Sequence, residues 1–375
     1  MKGQFFTKSI ILKQKVYEFI QNKPKIILEP SVGRGDLIYY LRDKIDCKYD
    51  LYEIDPNIND FLIDKKKIKF CDFLKQEITK KYDTIIGNPP YVRTKKGNLY
   101  IDFIEKCYNL LNDKGELIFI IPSDFFKLTS ATKLLNIMLK NGSFTHIFHP
   151  NNEKLFEKAS IDIIVFRYCK NIFVNKIIYN NNDVYGINSN GMLLFSNNKM
   201  TNNKFVFDYF DIFVGFVSGK DDVFHNEKIG NVEILWDINI KKKFIMIDKF
   251  PSTNKNINEL LLENKEILKK RKIRNFNNNN WFEWGALRNK HFIDSNIGKP
   301  CIYLRNMSRK NIIAMKSTVG YFGAGLFMLF PKSDEINLDI IVDYFNSDNF
   351  RQYFTYSNRF KINHNQLYRS IIKKN

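Results

Sequence analysis

Up to about residue 170 the chain alternates short apolar runs with stretches whose apolar residues recur every three or four positions. The runs at 25–30 (KIILEP), 49–55 (YDLYEID), 68–72 (IKFCD), 82–88 (YDTIIGN), 115–122 (GELIFIIP), 145–149 (THIFH) and 160–168 (SIDIIVFRY) read as strands. Between them, 99–113 (LYIDFIEKCYNLLND) puts Ile101, Ile104, Tyr108 and Leu111 at helical spacing. Strand and helix in alternation predict an α/β fold, a parallel sheet with helices on both faces. Such sheets hold ligands at the carboxyl ends of their strands. From about Asn171 the alternation stops. Residues 176–204, rich in Asn and turn formers, are expected to be a linker or hairpin, and 205–375 a separate α+β domain with a charged helix over 256–276. The first domain is then 1–175.

The strand ends carry chemistry. After the first strand, LEPSVGRGDLIYYL (28–41) offers Gly33 and Gly35 for a tight turn and close backbone approach to a ligand. Glu29 at the strand end would repel a pyrophosphate but suits a cationic amino acid moiety. The second strand ends in Glu53, where an acidic side chain takes ribose hydroxyls in a doubly wound fold. The third ends in Asp72, suited to an adenine amino group, with Phe73 beside it. Ser31 in the turn and Ile54 after Glu53 complete the expected contacts. A ligand with a ribose, an adenine and a zwitterionic tail but no phosphate is S-adenosyl-L-methionine.

The fourth strand stops at Asn88-Pro89-Pro90-Tyr91. The prolines fix φ at 89 and 90 and restrict the residue before each. The Asn88 side-chain oxygen and the Pro89 carbonyl can accept both hydrogens of a planar NH2 group and localise its lone pair; Asn88 also borders the cofactor. Tyr91 can stack on a base face, worth roughly 1–3 kcal/mol. Attack by a neutral amine on a sulfonium methyl needs no prior general base. Alignment of nitrogen, methyl and sulfur is the main task, and such terms reach roughly 7–11 kcal/mol.

In this order EPSVGRGDLI, YEID, CDF and IIGNPPYV resemble the gamma group of amino-methylating DNA methyltransferases, the TaqI-like and Eco57I-like adenine-N6 enzymes. The resemblance implies a Rossmann-like class I methyltransferase sheet followed by a target-recognition domain. GQFFTKSIILKQKVYEFI (3–20) is similar to the family's N-terminal cofactor motif, which implies that Phe6 and Thr7 hold the methionine end of the cofactor. EKLFEKASIDIIVFRY (153–168) resembles its last catalytic motif, which implies that Phe156 packs against the extruded base. VGFVSGKDDVFHN (214–226) and YSNRFKINHNQLYRSI (356–371) look like stretches of its recognition domains.

Charge points the same way. With 59 Lys+Arg against 40 Asp+Glu the formal net charge is +19, which favours a polyanionic partner, although a genome rich in Lys, Asn and Ile codons raises it as well. RQYFTYSNRFKINHNQLYRSIIKKN (351–375) has Arg351, Arg359, Lys361, Arg369, Lys373 and Lys374 among aromatics and no acid. KKRKIRNFNNNNWFEWGALRNK (269–290) is similar in character. Both are expected to face DNA. Cys47, Cys71, Cys107, Cys169 and Cys301 are scattered without zinc-ligand spacing, so no metal and a reducing compartment are expected. The N-terminus lacks a signal-peptide core, and the apolar stretch 317–330 is shorter than the ~20 residues of a membrane helix.

The expected protein is a cytoplasmic, monomeric enzyme that methylates adenine N6 in double-stranded DNA, without membrane contact, beside a separately acting cognate restriction endonuclease. Rival substrates are RNA bases and the glutamine amide of release factors. The release-factor enzymes carry their extra domain before the catalytic one, whereas here about 24 residues precede the first strand. A catalytically dead DNA-binding subunit is a third reading, opposed by the intact Asn88–Tyr91.

Overall fold

The computed structural model describes residues 5–94, 97–156, 160–189, 191–197, 199, 204–356 and 358–372. Lys373, Lys374 and parts of the 176–204 stretch lie outside them. The chain divides into two compact units, Met1–Thr201 and Asn202–Asn375.

The first unit is built on one sheet. Strands β1 (Ile26–Glu29), β2 (Lys48–Glu53), β3 (Ile68–Phe70), β4 (Tyr82–Gly87) and β5 (Leu111–Pro122) run parallel. Strand β7 (Ile163–Lys170) lies antiparallel between β5 and β6 (Gly142–Phe148). The order is β3-β2-β1-β4-β5-β7-β6, continued by β8 (Ile177–Tyr179), β9 (Asn182–Ser189) and β10 (Met192–Ser196) to ten strands. Leu117 to Ile121 are all buried, as a strand covered on both faces requires. Helices α1 (Ile10–Phe19) and α2 (Asp36–Leu41) pack with Ile27, Ile86, Ile118 and Ile120 on one face. Helices α3 (Leu99–Asn109) and α4 (Thr132–Lys140) pack with Leu28, Ile85, Leu117 and Phe119 on the other.

Three expectations change. The helix predicted over 99–113 stops at Asn109, because Leu111 already pairs opposite Tyr82 and starts β5. The first unit runs past residue 175: Ile178 and Tyr179 pair with His146 and Ile147, and β9 and β10 form a hairpin beyond them. The 256–276 stretch is broken into Lys255–Glu263 and Lys265–Lys269, and Arg271 turns inward. The Arg271 guanidinium donates to the carbonyls of Leu268, Ser218, Trp281 and Glu283 at 2.6–2.9 Å. It is therefore a structural residue, and Arg274 beside it pairs with Glu283 at 2.6 Å.

The second unit holds a four-stranded antiparallel sheet. Its strands β11 (Phe210–Val214), β14 (Pro300–Arg305), β15 (Ala314–Thr318) and β16 (Leu326–Pro331) are ordered β11-β16-β14-β15. A separate hairpin joins β12 (Val232–Asp237) and β13 (Ile240–Phe244). Among the described residues no helix is long and apolar enough to cross a membrane.

One buried polar knot ties the first unit together. The fully buried Glu116 carboxylate on β5 accepts from Arg167 Nε at 2.8 Å, Thr84 Oγ1 at 2.9 Å, and the backbone amides of Gln21 and Asn22 just past α1 at 3.2 and 3.1 Å. Removing one partner of such a pair leaves a charge stranded in the interior. Arg167→Leu is expected to destabilise the first unit by about 3–5 kcal/mol, read as a lower urea midpoint for its unfolding transition.

Candidate active site

A cavity of about 350 Å³ opens at the carboxyl ends of β1 to β4. Its floor is the turn after β1. Gly33 has φ +58°, and a Cβ there would sit 3.2 Å from the Phe6 ring. Gly35 has φ +87° and would meet Ile63 at 2.7 Å, so neither position admits a side chain without strain. Val32 N bonds to Tyr52 O at 3.0 Å and fixes the turn against β2.

Phe6, Thr7, Glu29, Ser31 and Gly33 line the cavity, as do Glu53, Ile54, Asp72, Phe73 and Asn88. Gly35 stands outside the lining and acts through the turn alone. Glu53 accepts from the amides of Gly33, Ile54 and Asp55 at 2.7, 2.9 and 3.0 Å, so its carboxylate holds the turn as well as facing the cavity. Asp72 caps the turn after β3 by accepting from Leu74 N at 3.1 Å. Phe73 is buried, stacked on Phe103 at 5.7 Å, and offers the cavity an apolar wall. Sequence reasoning missed Phe103, Leu99 and Val92 in the lining. Only the apolar face of α3 could have signalled the first two.

Glu29 is the least satisfied group. It is 2% exposed, and its Oε2 has no hydrogen-bond partner. Burial, helped by the nearby Asp36 and Glu53 carboxylates, pushes its pKa well above the usual range. Asp36 itself is held by Arg34 at 3.3 Å. An acidic end facing an apolar wall can take a ligand that is cationic at one end and flat and apolar at the other. Among the described residues no group of His, Cys, Asp and Glu could hold a metal ion.

Asn88 stands at the rim, on the end of β4. Its Nδ2 donates to Phe5 O at 2.8 Å and to Thr7 Oγ1 at 3.1 Å, while its Oδ1 accepts from the Tyr91 hydroxyl at 2.5 Å. The same hydroxyl lies 3.0 Å from Ile120 O, and burial pushes its pKa well up, so it stays a donor. The Tyr91 ring is 5.5 Å from Phe5 and 6.1 Å from Phe156, with Phe5 and Phe156 5.4 Å apart. Pro90 reaches the cavity, whereas Pro89, Tyr91 and the buried Phe156 do not line it. Three rings therefore gather beside Asn88, one more than the two expected; the signal for Phe5 was its place two residues before Thr7.

The raised Glu29 pKa has a definite sign. Between the ordinary carboxylate range and its folded value the unfolded chain binds fewer protons at this site, so stability falls as pH rises, by at most about 1.4 kcal/mol per pH unit. Glu29→Gln is expected to match the parent near pH 4.5 and to gain in Tm relative to it as the pH is raised to 8. A calorimetric pH series checks this.

Residues 11–156 match the model of the Eco57I restriction-modification methylase family. The type II methyltransferase M.HincII of Haemophilus influenzae is 35% identical over 200 residues, 47% of this chain and 38% of that protein. The modification methylase CviBIII of Paramecium bursaria Chlorella virus NC1A is 33% identical over 144 residues, 32% of this chain and 38% of that one. The chain thus spans under half the length of these relatives. Among solved structures, the type IIL restriction-modification enzyme MmeI in complex with DNA shares the fold at a TM-score of 0.59, with 10% identity over 95% of this chain and 63% of that one. The turn, the acidic strand ends and Asn88–Tyr91 all fall in the stretch by which the chain matches the Eco57I restriction-modification methylases.

Proposed function

We propose that the chain transfers a methyl group from S-adenosyl-L-methionine to N6 of an adenine extruded from double-stranded DNA, at a specific site, in a restriction-modification or viral modification setting. The observation that carries this reading is Asn88, a carboxamide fixed at the rim of a cavity that is acidic at one end and apolar at the other. The cavity fits the cofactor. Glu29 has an unpartnered buried oxygen for a cationic amino group, Gly33 leaves room at the turn, and Phe73 and Phe103 suit a flat base. Its volume falls in the range of small-molecule sites, about 300–1,000 Å³.

When bound, S-adenosyl-L-methionine supplies a methyl group activated on a sulfonium sulfur. Glu29, Ser31 and the Gly33 turn would hold its amino acid end, with Phe6 and Thr7 beside them. Glu53 and Ile54 would face the ribose, and Asp72 and Phe73 the adenine. Asn88 Oδ1 and the Pro89 carbonyl accept the hydrogens of the target amine. Pro89 and Pro90 keep these acceptors from drifting. Tyr91 and Phe156 are the aromatic surfaces for the extruded base, a strategy that base-modifying enzymes share.

Duplex DNA is favoured by the restriction-modification name of the matching family, by the DNA in the MmeI complex and by the +19 charge. The finer assignment to adenine N6 rests on the Asn-Pro-Pro-Tyr chemistry. Purified protein is expected to move label from S-adenosyl-L-methionine into duplex DNA, recovered as N6-methyladenine on nucleoside analysis. Label in structured RNA or release-factor protein instead of DNA would overturn the reading. Asn88→Ala is expected to lower transfer by about 100-fold or more while the cofactor still binds, since a preorganised polar contact to the reacting group is lost.

A further inference from the structure

We propose that Thr7 is a positioning residue for Asn88: the Phe5 carbonyl sets which end of the carboxamide is the nitrogen, and the Thr7 hydroxyl holds that nitrogen so that the oxygen is kept for the target amine. This rests on the function proposed above. A primary amide is nearly symmetric in shape, yet its ends are opposite in chemistry, one accepting and the other donating two hydrogens. Turned one way, Asn88 accepts from an amine. Turned the other, it presents N–H groups to N–H groups and rejects it.

The surroundings decide between the two. The Phe5 carbonyl is an acceptor only, and at 2.8 Å it requires the amide nitrogen. Thr7 Oγ1 takes the second hydrogen of the same nitrogen at 3.1 Å. With both N–H groups engaged, Oδ1 accepts from the Tyr91 hydroxyl at 2.5 Å and keeps its second lone pair for the target amine. Thr7 is 5% exposed, so water cannot replace its oxygen cheaply. Residue 7 precedes α1, and the far end of that helix is pinned by Glu116 through Gln21 and Asn22. The hydroxyl therefore rests on a fixed support.

Thr7 also lines the cavity, so a direct hold on the cofactor is the competing role. Thr7→Val keeps the branched shape and removes only the oxygen; Thr7→Ser keeps the oxygen. Turnover on duplex DNA, cofactor affinity by calorimetry, and hydrogen exchange of the Asn88 side-chain NH2 in ¹⁵N spectra, assigned with Asn88→Asp, would be measured for each. For Thr7→Val, kcat is expected to fall about 3- to 10-fold, the worth of one neutral hydrogen bond. Cofactor Kd should change by less than kcat does, the side-chain NH2 should exchange faster, and Thr7→Ser should restore all three readouts. Weakened cofactor binding with kcat preserved would overturn the proposal, as would kcat and NH2 exchange equal to the parent in Thr7→Val. If the parent methylates no DNA, the proposed function fails. The exchange measurement then still decides whether Thr7 holds Asn88.

Discussion

The Glu116 carboxylate sets the geometry of the first unit from the end opposite the site. It sits beside Thr84 in the lower half of the parallel strands, and two of its acceptor positions are given to the amides that follow α1. Helix α1 then runs back along the sheet for ten residues, about 15 Å, enough to span the neighbouring strands. At its other end it delivers Phe5, Phe6 and Thr7 to the mouth of the cavity. A carboxylate without exposure is costly unless every lone pair is used. Here Arg167, Thr84 and the two amides use them, and a segment distant in sequence becomes part of the rim.

The strand ends were legible because each was marked twice, by an apolar run and by the residue that stops it. Glu29, Asp72 and Asn88 each follow such a run and each face the cavity. What could not be read was how these groups use one another. Nothing in the spacing says that Glu53 will accept from the Gly33 amide, or that the Tyr91 hydroxyl will turn towards Asn88 rather than its ring towards solvent. Those choices depend on contacts between residues 20 apart in one case and on a buried pocket in the other. The Asn-rich region carries a different signal. Asn171, Asn180 and Asn181 adopt positive φ, which asparagine tolerates, and so mark the turns between strands.

Net charge is a weaker guide than its size implies. Arg271 is spent on four carbonyls, and burial lowers its pKa to about 10. Arg351 pairs with Asp348 and touches Asn311, and Arg305 pairs with Asp237. Arg359 and Lys361 are exposed. A basic, aromatic-laced stretch in the sequence is thus divided between residues that build the second unit and residues left on its surface.

Glu29 couples the cavity to the proton activity of the solvent. Burial, and then two acidic neighbours, favour the protonated form of its carboxyl, whose Oε2 has no partner. A cation settling against it would favour the charged form and drive a proton out. Occupancy of the acidic end would then exchange one positive charge for another: affinity would grow with pH for as long as the incoming cation keeps its own charge, and the heat of binding would carry the ionisation enthalpy of whatever buffer receives the proton.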